Sequence, residues 1–203
     1  MNVLLPDDAL PAKLILNPDL PMSDDDYYEF CITNPNVWFE RNAQGEIIIV
    51  PPVGIESDHR NADITTQLSV WAKRDGRGKA FGPTGEFILP SGAAYAPDAA
   101  WVSNEQLATL SKAQLTKFVR LVPGFVVELL SPSDRLSAAK RKMAEWMENG
   151  VALGWLIDAN KQTIYVCRPN QEAPQTLERV DRISGEGPVE GFVLKLKDVW
   201  AGL

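Results

Sequence analysis

The run Gly124-Phe125-Val126-Val127-Glu128-Leu129-Leu130-Ser131-Pro132-Ser133-Asp134 decides how this chain is read. Six residues, Phe125 to Leu130, form a nearly unbroken apolar stretch with one carboxylate inside it, followed by a polar turn. A strand this apolar is expected to be buried on both faces, as in the centre of an α/β sheet. A carboxylate there is costly unless it is paired, protonated or bound to a cation. Glu128 therefore needs a partner, and the rest of the sequence is searched for one.

Downstream, a helix is expected to run from the Ser131-Pro132-Ser133-Asp134 turn to Asn149, ended by Gly150. Its apolar stripe is Leu136, Ala139, Met143, Trp146 and Met147. At ~100° per residue Arg141 points away from that stripe, while Lys140 and Lys142 flank it on opposite sides. Either lysine can bend back toward the end of the Glu128 strand, and periodicity does not choose between them. Ser131 and Ser133 are chemically able to bond phosphate oxygens, but the tract is first of all good turn and cap chemistry. Val151–Ile157 and Thr163–Arg168 read as two further strands, with Gln175–Val180 and Gly191–Leu196 as edge strands.

Upstream, Ala93 to Val102 reads as a strand containing Pro97 and Asp98, about thirty residues before Glu128. Strands successive in this way tend to be neighbours in a sheet. Asp98 and Glu128 would then converge into a hard, oxygen-rich pocket suited to magnesium. Before these, a helix from Ser57 to Arg74 is marked by Ile64, Leu68 and Trp71, with Gly76 as its C-terminal cap. Lys79–Phe81 and Glu86–Leu89 read as short strands, Ser103 caps a short helix, and a weak helix runs to Phe118. Ser23 caps an acidic first turn of another helix, and Val37–Arg41 with Glu46–Val50 reads as a β-hairpin. Residues 1–22 are proline-rich and aperiodic, an arm preceding one α/β domain over 23–203.

Composition narrows the chemistry. The formal charge of −7 is not the basic excess of a dedicated nucleic-acid binder. A single histidine, His59, excludes a multi-histidine zinc site within one chain, so a metal would be held by oxygens. The two cysteines, Cys31 and Cys167, match no metal or redox spacing and suit a reducing cytoplasm. No signal peptide and no apolar run long enough to span a membrane are expected. A hydrolase using His59 has little support, because no nucleophile-elbow pattern accompanies it.

Pro97-Asp98, Val127-Glu128-Leu129-Leu130-Ser131-Pro132-Ser133, Lys142-Met143-Ala144-Glu145-Trp146, Asn149-Gly150 and Gly154-Trp155-Leu156-Ile157-Asp158 together resemble the Uma-two family. These are bacterial proteins classed as restriction endonucleases in the PD-(D/E)XK nuclease superfamily. The resemblance covers roughly residues 25 to 200. It implies a restriction-endonuclease-like α/β fold, a mixed sheet flanked by helices, here with an added N-terminal hairpin and C-terminal edge strands. By the same resemblance Asp98 and Glu128 are magnesium or manganese ligands, with the Leu129 carbonyl as a third. The lysine that the superfamily places two residues after the glutamate is replaced here by Leu130, and the resemblance transfers its role to Lys142, four residues before Trp146. Glu56 matches the superfamily's early acid, and His59 stands nearby. The implied activity is metal-assisted hydrolysis of DNA phosphodiester bonds. Exposed strand edges and the proline-rich arm invite a partner, so a homodimer is expected. The rival is a nuclease-like module without cutting activity that binds or regulates as a dimer.

Overall fold

The computed structural model describes residues 13–14, 22–132 and 134–203. The expected arm therefore lies almost wholly outside the described residues, as does Ser133. In chain order the elements begin with β1 (Lys13–Leu14), α1 (Asp24–Thr33), β2 (Trp38–Arg41), β3 (Ile47–Val50) and α2 (Ile55–Asp75). There follow β4 (Gly78–Phe81), β5 (Phe87–Ile88), β6 (Ala94–Tyr95), β7 (Ala99–Ser103), α3 (Asn104–Ala108) and β8 (Val119–Arg120). The last part holds β9 (Phe125–Leu129), α4 (Leu136–Glu148), β10 (Leu153–Asp158), β11 (Thr163–Cys167), β12 (Gln175–Glu178), β13 (Arg182–Ser184), β14 (Val193–Lys195) and α5 (Lys197–Ala201). The weak helix expected to run to Phe118 is only a short 3-10 turn, Gln114–Thr116.

These elements sort into two compact units, each drawn from separate stretches of chain. The smaller comprises the described residues up to Pro52, Glu86–Ala96 and Lys112–Leu121. Its sheet has the order β1-β3-β2-β6-β5-β8. The expected hairpin is present, with Phe39 paired to Ile49, and forms part of this sheet. Helix α1 begins as its sequence dictates: the Ser23 side chain accepts from the Asp26 N–H while the Asp26 carboxylate returns to the Ser23 backbone.

The larger unit comprises Val53–Gly85, Pro97–Ser111 and Val122–Leu203. Its sheet has the order β12-β11-β10-β9-β7-β4, in which β9 and β10 run parallel and the other pairs antiparallel. Phe125 to Leu129 are all buried, as a doubly covered central strand requires. One face packs Phe125, Val127 and Trp155 against Ile64, Leu68 and Ala72 of α2 and Val199 of α5. Phe192 stacks on Trp155 with centroids 5.8 Å apart. The other face receives the buried Met143 and Trp146 of α4. Gly154 permits that approach, since a Cβ there would lie 2.3 Å from the Met143 methyl. Helix α2 stops at Gly76, whose φ of 77° is the left-handed conformation expected of a C-terminal glycine.

Two expectations change in detail. Ala93 to Val102 is not one strand: it divides at Ala96-Pro97-Asp98 into β6 of one sheet and β7 of the other. Proline has no N–H for a ladder and biases its predecessor, so the break falls where the chemistry puts it. Of the C-terminal strands, β12 does edge the large sheet, but β14 pairs with β13 in a separate ribbon.

Candidate active site

The larger unit brings Asp98, Glu128, Leu129 and Lys142 together where β7 begins and β9 ends. Ala99 is paired with Val127, so one further step in this antiparallel register sets Asp98 beside Glu128, at the spacing of cross-strand neighbours. A direct bond fastens the point: Leu129 N–H donates to Asp98 Oδ2 at 2.7 Å. The next amide, Leu130 N–H, turns to the opposite side and donates to Ile157 O on β10 at 2.9 Å. The carbonyl of Leu129 lies on the same strand edge as its N–H, the edge that Asp98 occupies.

Glu128 is 9% exposed and projects toward α4. Its Oε1 accepts from Trp146 Nε1 at 2.9 Å, and Lys142 Nζ lies 3.1 Å from Oε1 and 3.2 Å from Oε2. The cation thus lies between both carboxylate oxygens. Periodicity left the two lysines equivalent, and the structure separates them. Lys140 Nζ lies over the Tyr165 ring, 4.1 Å from its centroid, and takes no part in this contact. Arg141 is exposed, as its angular position required.

Helix α2 reaches Asp98 through residues that its sequence did not advertise as functional. Asn61 Nδ2 donates to Asp98 Oδ1 at 2.7 Å, and Thr65 Oγ1 donates to Asp98 O at 3.4 Å. One signal was readable. Asn61 lies three residues before Ile64 and seven before Leu68, so an amide occupies the helix's buried stripe. Trp146 was read as core alone; its indole N–H meets Glu128 as well.

Glu56 is not brought to this group. Its carboxylate pairs with Arg60 Nη2 at 2.9 Å, one helical turn on, while Arg60 Nε donates to Val199 O at 2.9 Å. His59 is exposed in the first turns of α2. The turn after β9 is held by Asp134, which accepts from Ser131 N–H at 2.8 Å, and α4 starts at Leu136 without a side-chain cap.

Among the described residues no three His, Cys, Asp or Glu side chains converge as a metal-binding group. The donors that do gather are carboxylate, backbone carbonyl and amide oxygens, which suit a hard cation that keeps several of its own waters. One atom bears on the fit: Asn61 Oδ1 is buried and has no hydrogen-bond partner among the described residues. An oxygen of this kind on the residue that holds Asp98 is compatible with a hydrated magnesium or manganese ion.

No curated protein matches the chain. Among solved structures similar to it is one described as the "crystal structure of a putative nuclease belonging to DUF820 from Anabaena variabilis". The TM-score is 0.68 at 20% identity, over 80% of this chain and 89% of that one. At that identity the likeness speaks for the mixed α/β fold alone. A second, a DrdV–DNA complex, gives a TM-score of 0.37 at 14% identity over 60% of this chain and 12% of that one, too slight to carry any argument. The model of the Uma2 family, described as "Putative restriction endonuclease", matches residues 24–197. That span holds both acids, Lys142 and every strand of the large sheet, and the chain belongs to the Uma2 family.

Proposed function

We propose that this protein is a divalent-metal-dependent endonuclease that hydrolyses phosphodiester bonds of DNA. Family membership supports a nuclease-like function. The observation that carries the finer reading is the junction of β7 and β9, where Asp98 takes the Leu129 N–H next to Glu128, which the Lys142 amine and the Trp146 indole meet from α4. Asp98, Glu128 and the Leu129 carbonyl would hold magnesium or manganese. The bound ion would acidify a water and offset charge on the scissile phosphate. Asn61 and Thr65 keep Asp98 in place from α2, and the Trp146 indole fixes one oxygen of Glu128. Lys142 contributes positive charge where negative charge develops, or orients the attacking water.

The test is plasmid nicking with manganese. The parent should nick, while Asp98→Ala and Glu128→Ala should each lose the activity by ~100-fold or more and keep the fold by circular dichroism. Either mutant cutting as well as the parent removes the assignment.

A second reading, a nuclease-like binding or regulatory dimer without cutting activity, draws on one observation. Glu128 has both a cation, Lys142, and an indole donor, Trp146, as partners. A cation site raises the melting temperature as magnesium is added; a finished salt-bridge cluster does not. A cytoplasmic setting and a homodimer complete the proposal. Two free thiols support the first, and the open edges β4 and β12 of the large sheet favour the second. Among the described residues no helix is long and apolar enough to cross a membrane.

A further inference from the structure

Asn61 is 7% exposed, with its Nδ2 on Asp98 Oδ1 at 2.7 Å and its Oδ1 buried without a hydrogen-bond partner among the described residues. The chemistry fixes which end faces the acid. An ionised carboxylate only accepts, so the NH2 must point to Asp98; turning the amide over would set oxygen against oxygen. A buried amide oxygen left without a donor is costly, because it has lost its water and gained nothing in return. In a native fold such an atom calls for a water or an ion to account for it. Asn61 also stands on the stripe of α2 that Ile64 and Leu68 bury, where an apolar side chain would carry no such cost. A neutral donor has one further property that a lysine or arginine lacks: it orients the carboxylate without cancelling its charge, so the affinity of Asp98 for a cation survives.

We propose that Asn61 is a positioning residue of the cation site. Its NH2 fixes the Asp98 carboxylate, and its Oδ1 accepts a hydrogen bond from a water in the shell of the ion held by Asp98 and Glu128. This inference rests on the metal-site reading above. A magnesium or manganese ion bound by one or two carboxylates keeps several waters, and each water needs a fixed acceptor.

The test is calorimetric titration of the full chain with Mn2+, together with melting temperatures with and without Mn2+. It compares the parent with Asn61→Ala, Asn61→Asp and Glu128→Ala. Glu128→Ala should abolish Mn2+ binding, which locates the ion. Asn61→Ala should weaken Mn2+ binding by about 10–100-fold and shrink the Mn2+-dependent rise in Tm. Asn61→Asp keeps an oxygen at the same place but sets two carboxylates together. It should lower the metal-free Tm and show a larger Mn2+-dependent rise than the parent, and it decides the matter if Asn61→Ala fails to fold. A residue with a purely structural role would lower both melting temperatures equally and leave Mn2+ affinity unchanged; that result overturns the inference. A parent chain that binds no Mn2+ overturns the metal reading, and this one with it. Mn2+ binding with the expected Asn61 dependence but without DNA nicking upholds this inference and sinks only the endonuclease reading.

Discussion

Glu86 in the smaller unit and Glu128 in the larger are each 9% exposed, yet the groups that answer them differ in kind. Glu86 receives the hydroxyl of Tyr27 at 3.0 Å, and Tyr27 is fully buried. The Arg41 guanidinium covers the Tyr27 ring at 4.7 Å and is itself held by Asp24 and by the carbonyls of Met22 and Gly92. Burial pushes the Tyr27 phenol upward, with Glu86 adding to it. Burial likewise pushes the Cys31 thiol up to about 12, with Glu86 next in effect. Tyr27, Arg41 and Glu86 are all buried. Glu128 is answered by the fully buried Trp146 indole and by an amine on a flexible stem whose side chain keeps 22% of its surface in solvent. A lysine ammonium is a compact point charge on a flexible four-carbon stem. The same degree of shielding is thus met by a buried phenol in one unit and by an indole with a partly exposed amine in the other.

Lys142→Ala should separate the two regions most widely. It is expected to slow manganese-dependent nicking by about 100-fold in the plasmid assay, and by more than Lys140→Ala does, since Lys140 rests on Tyr165 instead. Equal effects of the two substitutions would erase the distinction. Tyr27→Phe tests the other side: leaving Glu86 short of its phenol should cost about 1–3 kcal/mol in urea unfolding, with nicking unaffected. A neutral result there would mean that Glu86 is not held as described.

The third and smallest effect is one of pH. Cys31 is raised from 9.0 to about 12 and Tyr27 is raised above 10.0, so the folded chain keeps protons that the unfolded chain releases. Their stabilising contribution is whole below pH 9 and is lost as the pH climbs from 9 toward 12. Urea midpoints at about pH 8 and about pH 11 should fall accordingly, and less steeply in Cys31→Ala. A midpoint that held constant would place both groups in contact with solvent.

Much of this architecture could be read from local chemistry. The Phe125–Leu129 strand, the capping box at Ser23 and the glycine stop at Gly76 each state their structure within a few residues. The adjacency of Asp98 and Glu128 followed from strand order. The division into two units did not, because each unit is assembled from separate stretches and nothing local says that Ala94–Tyr95 and Ala99–Ser103 serve different sheets. Pro97 was visible, but a single proline reads equally well as an edge-strand residue. Asn61 and Trp146 were hidden for another reason. Both lie on apolar helix stripes, and periodicity measures burial without telling what a buried polar atom bonds. Glu56 shows a use that its position near a helix start also permits, pairing with Arg60 one turn on.

The bond from Leu129 N–H to Asp98 Oδ2 gives the protein a built-in gauge. The Leu129 proton is held by a titratable side chain, so its resonance in a heteronuclear spectrum should follow the charge and occupancy of that acid. A cation arriving at Asp98 would be read at one backbone nitrogen, without DNA, without turnover and without altering a single residue.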